Sequence, residues 1–158
     1  VAEEKVEPLL NVRVKSIITP VTNNIILVAG KLRLANHTLI KNGKDYKLAT
    51  EIGYAQIGSH KIVMMPGEIS QDLIAGGASL TKAGSINKED FTGKTVYELF
   101  GEDTLVFGLA NDAIGYVVPD NDYCMGLVFD HYQESLSLGK NTASFLMSSY
   151  EQLASEVG

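Results

Sequence analysis

Three stretches of this 158-residue chain carry side chains that could do chemistry. In the first, the apolar run Ile62 to Met65 stops at Pro66-Gly67-Glu68, which puts a carboxylate at the end of an apparent strand. Strand ends are where α/β sheets commonly present ligand-binding groups. The plainer reading of Glu68 is a turn carboxylate that faces water or caps the helix after it. The second stretch, Gly108 to Pro119, reads as a strand that opens into a site. There Asn111 and Asp112 can orient a substrate or a metal ligand, or simply form a turn. Tyr116, set among Ile114, Gly115, Val117 and Val118, is a core phenol with a hydrogen-bonded hydroxyl. Alternatively it is a tyrosinate ligand, if a metal lowers its pKa strongly. The third stretch follows the apolar Leu127 to Phe129 and contains His131, Tyr132 and Glu134. A neutral imidazole there can bind metal or shuttle a proton, or serve as a hydrogen-bonded structural group.

Composition narrows the chemistry. The histidines His37, His60 and His131 show no HxH or HxxxH spacing, and Cys124 is the single cysteine, so the chain has no self-contained zinc motif and no internal disulfide. There is no GxSxG elbow, P-loop or GxGxxG. A formal net charge of −6 without a long basic run argues against nucleic acid as a partner. No apolar stretch reaches the roughly 18 to 20 residues of a transmembrane segment. The start at Val1-Ala-Glu-Glu, without an initiator Met, is read as a piece of a longer parent.

The elements that must position these groups follow from pattern. Residues 1–8 read as a linker and 9–158 as one α/β domain, a mixed β-sheet with flanking helices. Alternation from Leu10 predicts a half-buried strand to about Pro20, at a sheet edge. Asn23 or Asn24 caps a helix to about Leu34, with Ile25, Val28, Ala29 and Leu32 as its apolar stripe. Asn42-Gly43 marks a turn. Leu48–Ile57 and His60–Met65 form a hairpin around Gly58-Ser59, the second strand buried on both faces. Ser70 caps a short helix stopped by Gly76-Gly77, and residues 77–92 form a long loop. Thr92 or Gly93 begins a brief helix closed by Gly101, and Thr104–Leu109 is a buried strand. Asn141 or Thr142 caps a last helix to about Glu156, its stripe being Ala143, Leu146, Tyr150 and Leu153.

Together, Thr50 to Tyr54, Met65 to Glu68, Gly108 to Asp112 with Ile114 to Pro119, and His131 to Ser135 with Leu138-Gly139 resemble the neutral/alkaline, non-lysosomal ceramidase family, most of all its bacterial relatives. The resemblance runs over about Leu48 to Gly139. It implies the C-terminal portion of a zinc-dependent amidohydrolase acting on an N-acyl amide or lipid, with Glu68 and Tyr116 as metal ligands. It further implies Tyr116 and His131 as catalytic groups and Asn111 and Asp112 as supports behind them. The remaining ligands, two histidines, belong to an upstream region of the same parent, so zinc is expected in the full-length protein and the 158 residues alone are expected to be inactive. Ala113 and Gln133 depart from the family's usual pattern. The compartment stays open, an extracytoplasmic or membrane-associated parent being one reading. The alternatives are a non-catalytic α/β binding or scaffold domain that kept the fold, and a different metal-dependent hydrolase.

Overall fold

The alternating residues at the start of the chain build its longest ladder. In the computed structural model, which describes residues 5–35, 37–125 and 131–158, β1 (Leu10–Val21) runs antiparallel to β3 (Asp45–Ile57), with Leu10 opposite Ile57 and Val21 opposite Tyr46. A short β2 (Ile40–Asn42) joins β3 through the Asn42-Gly43 turn, where Gly43 takes φ +64. The next hairpin leads into β4 (His60–Met64) through Gly58 at φ +60, a left-handed conformation that glycine adopts without a Cβ penalty. β6 (Leu105–Phe107) then adds parallel to β4, giving the order β1-β3-β4-β6 with β2 beside β3. A separate two-stranded parallel pair is made by β5 (Glu68–Ile69) and β7 (Tyr116–Val117). The architecture is therefore α/β, a mixed sheet with flanking helices in one compact domain.

One face of the sheet is the core. Ile17, Ile52, Tyr54 and Val63 lie on it, covered by Leu146, Tyr150 and Leu153 of α5 (Thr142–Val157). Phe100, at the end of α3 (Val96–Phe100), stacks on Tyr54 at 5.4 Å between ring centroids and meets Tyr150 edge-on at 6.4 Å. Tyr150 donates its hydroxyl to the Met64 carbonyl at 2.5 Å, and burial pushes that phenol far above the ordinary tyrosine range.

Several expectations change. β4 is interior to the sheet, yet only Val63 is fully buried; Ile62 and Met64 project to the opposite, half-open face. β6 is an edge strand with Leu105 and Phe107 more than half exposed, because among the described residues no further strand pairs with it beyond β4. Of Gly108 to Pro119 only Tyr116 and Val117 are strand; Leu109 and Asn111 take positive φ and turn the chain. α1 (Asn24–Lys31) stops short of Leu34, and its stripe is reversed. Ile25, Val28 and Leu32 face outward, while Ile26, Leu27 and Gly30 face the body of the protein. A helix reading Asn-Ile-Ile-Leu-Val-Ala-Gly is apolar nearly all round, so periodicity alone does not choose its inner side.

The caps also move. Asn23 does cap α1, its Oδ1 accepting from Ile25 N–H at 2.9 Å. α3 starts two or three residues later than expected, at Thr95, whose hydroxyl accepts from Glu98 N–H while the Glu98 carboxylate accepts from Thr95 N–H, a capping box. Ser70 makes no side-chain cap on α2 (Gln71–Ala75). Asn141 precedes α5 without capping it; Asp120 supplies the carboxylate instead, accepting from Ser144 N–H at 3.1 Å. The Leu127 to Phe129 run lies outside the described residues.

Candidate functional site

The small parallel pair decides where the proposed ligands stand. Ile114 N–H donates to Pro66 O at 2.8 Å, Glu68 N–H to Gly115 O at 2.9 Å and Ser70 N–H to Val117 O at 3.0 Å. Two glycines make this approach possible. A Cβ on Gly67 would strike the Gly115 carbonyl, and one on Gly115, held at φ +94, would strike the Leu136 carbonyl. The register sets Glu68 directly beside Tyr116. Paired residues of neighbouring strands share a face at a strand spacing of about 4.8 Å. Two side chains separated by 48 positions (116 − 68) thus meet on one small surface.

Glu68 is exposed and Tyr116 is partly covered. Tyr132, at the start of α4 (Tyr132–Ser135), packs its ring edge-on against Tyr116 at 5.7 Å between centroids. Desolvation, then hydrogen bonding to and repulsion from the Glu68 carboxylate, then Tyr132, raise the Tyr116 phenol above its ordinary pKa. At neutral pH Tyr116 is therefore a neutral hydroxyl, suited to hydrogen-bond donation.

His131 sits immediately before α4, and its Nδ1 lies 3.5 Å from an Oε1 of Glu134, a largely buried carboxylate. It pairs with Glu134, while the neighbouring Tyr132 packs against Tyr116. Asn111 is exposed, with φ +70.

Asp112 belongs to a different cluster. One carboxylate oxygen meets His37 Nε2 at 2.5 Å and the other accepts from the Thr50 hydroxyl at 2.6 Å, while Oδ1 also accepts from Ala113 N–H at 2.8 Å. Burial raises the Asp112 pKa, but these hydrogen bonds together with the imidazole outweigh it and hold the carboxyl below the usual range. The cluster pins residues 109–115, which lead into Tyr116, onto β3. His37 and Thr50 come from 75 and 62 positions away, so no local spacing announced them.

A zinc ion tests poorly against these groups. Among the described residues no three His, Cys, Asp or Glu side chains are placed to hold a metal. Glu68 and Tyr116 supply two oxygen donors, and a catalytic zinc takes about three protein ligands plus an open position. The described residues do not by themselves fit the metal. What they provide is one wall: an anionic carboxylate beside a neutral hydroxyl.

No protein-family model matches the chain, and no curated protein matches it. Among solved structures, it is similar over 98% of its length to a crystal structure of neutral ceramidase from Pseudomonas aeruginosa, with 16% sequence identity and a TM-score of 0.48. The chain spans 29% of that protein's chain.

Proposed function

We propose that this chain forms one wall of the active site of a ceramidase-like amidohydrolase, acting on a linear N-acyl amide once an upstream region of a longer parent completes the site. The observation that carries the reading is the β5–β7 register, which sets Glu68 beside Tyr116. Two residues singled out by separate motifs meet at one place. In the complete site Glu68 would serve as an anionic ligand to zinc, and Tyr116 as a ligand or as a hydrogen-bond donor to the substrate's carbonyl oxygen. Zinc would supply carbonyl polarisation and a bound water of lowered pKa. The wall's own contribution is to place negative charge and a hydroxyl side by side on a backbone locked by Gly67 and Gly115.

The test uses the longer parent on a fluorogenic N-acyl amide, with and without chelator. Glu68→Gln and Tyr116→Phe should each lower kcat/KM by at least ~100-fold, the scale of a lost ligand or oxyanion donor. Retention of activity by both variants sinks the reading. The 158-residue chain alone should show no amidase activity and only weak zinc binding. Tight stoichiometric zinc binding that is lost on Glu68→Ala contradicts the division of ligands between two regions.

A further inference from the structure

A two-part cavity lies between α1 and residues 113–115, and neither Glu68 nor Tyr116 lines it. Its inner part, about 240 Å³, has aliphatic walls from Ile26, Leu39, Leu48, Ile114, Leu136 and Leu138. Its outer part, about 450 Å³, is bordered by Lys31, Arg33, Thr38 and Tyr46. Both parts are lined by Gly30, Ala35, His37 and Leu39, so they lie side by side. The polarity is graded, with aliphatic carbon at depth and cationic side chains at the mouth. His37 stands at the divide, its ring held there by the Nε2 contact to Asp112.

The mouth has a built geometry. Lys31 lies over the Tyr46 ring with Nζ 4.7 Å from its centroid, which fixes one cation at the rim. Arg33 takes a left-handed backbone, φ +56, and donates its N–H to the Gly30 carbonyl at 3.1 Å, so the turn that carries it is folded back on the helix end. Two cations beside one opening are notable in a chain whose formal net charge is −6. An apolar ligand with no charge gains nothing from them, and a cationic one is repelled.

We propose that this compartment binds an amphiphile consisting of a straight alkyl chain with an anionic headgroup, the chain in the inner part and the anion at Lys31 and Arg33. The site is separate from the Glu68–Tyr116 wall and stands whether or not that wall is catalytic. A carboxylate and a phosphate monoester share the required headgroup chemistry.

The probes are hexanoate, octanoate, decanoate, decyl phosphate, decanol and decylamine, titrated calorimetrically below their micellar range into the 158-residue chain. Affinity for the carboxylates should rise about fourfold per methylene until the inner part is full, the factor expected from burying one CH₂. Decanoate or decyl phosphate should bind at one site at least ~10-fold more tightly than decanol or decylamine, and whichever anion binds tighter identifies the headgroup. Ala35→Phe, at an exposed position that lines both parts, should block all of the ligands with thermal stability retained. The double variant Lys31→Gln/Arg33→Gln should weaken the anions about tenfold and leave decanol unchanged. Glu68→Ala should bind like the original chain, which separates this test from that of the amidohydrolase reading. Equal binding of decanol and decanoate, unaltered binding by Ala35→Phe, or no saturable binding of either anion overturns the proposal.

Discussion

At the scale of single residues, the polar groups that matter most are those with several partners. Asp112 accepts from Thr50, from its own following amide and from His37, and its side chain is only 20% exposed. Asp112→Asn removes the charge that strengthens these bonds and should destabilise the fold by about 1–2 kcal/mol at neutral pH. The folded pKa lies below the unfolded value of roughly 3.9. The carboxylate's contribution is therefore fully present above that value and is lost as pH falls through the folded pKa. Chemical denaturation of both forms across acid pH checks this: the gap between them should close as pH drops. Asn23 is a second such residue. Its Oδ1 caps α1, while its Nδ2 donates to the carbonyls of Glu134, Ser135 and Ser137 at 2.8–3.0 Å. Asn23→Asp keeps the cap but sets a carboxylate against three carbonyls in a buried position. A loss of about 2–3 kcal/mol should follow, measured as a shift of the denaturation midpoint, and a loss within ~0.5 kcal/mol would show that the cap alone matters.

At the scale of elements, what was legible was what short-range chemistry determines. Gly43 and Gly58 turn where Asn-Gly and Gly-Ser demand positive φ, and α5 buries Ala143, Leu146, Tyr150 and Leu153 as its periodicity requires. The α3 start was written in Thr95-Val-Tyr-Glu98, a capping-box spacing that the nearby Thr92-Gly93 obscured. Thr95→Ala should cost about 1 kcal/mol, read from urea denaturation, with the α3 amide protons losing their protection first. What was not legible depended on distant contacts. Asp120, a turn former by composition, caps α5 from 24 residues away, and burial holds its carboxyl above the usual range despite the Ser144 hydrogen bonds. The inward face of α1 was set by Leu39 and by the tie from Asn23 to residues 134–137, neither of which a helical period contains. The positions of Glu68 and Tyr116 at strand ends were readable in sequence. Their pairing was not, since it follows from a two-residue parallel bridge threaded past Gly67 and Gly115.

At the scale of the whole molecule, the sheet has one covered and one open face. Register places Leu10, Val12 and Val14 of β1 in line with Ile57, Ala55 and Gly53 of β3, then Ile62 and Met64 of β4, then Leu105 and Phe107 of β6. Leu10 is 71% exposed, and Val14 and Phe107 are each 53% exposed. A contiguous apolar face of this kind is a liability for solubility. Lysine at Val14 and Phe107 should leave stability within ~0.5 kcal/mol and lower concentration-dependent light scattering. No helix among the described residues is long and apolar enough to cross a membrane. The domain thus has three distinct surfaces: the open sheet face, the cation-rimmed cavity beside α1, and the small wall where Glu68 meets Tyr116. The pairing at that wall is tested most directly by the titration of ring-labelled tyrosine by NMR in the original chain, Glu68→Gln and Tyr116→Phe. One resonance, absent in Tyr116→Phe, should titrate above the ordinary tyrosine pKa and move to lower pH in Glu68→Gln. A Tyr116 resonance with the same midpoint in both the original chain and Glu68→Gln would contradict the claim that the two side chains form one site.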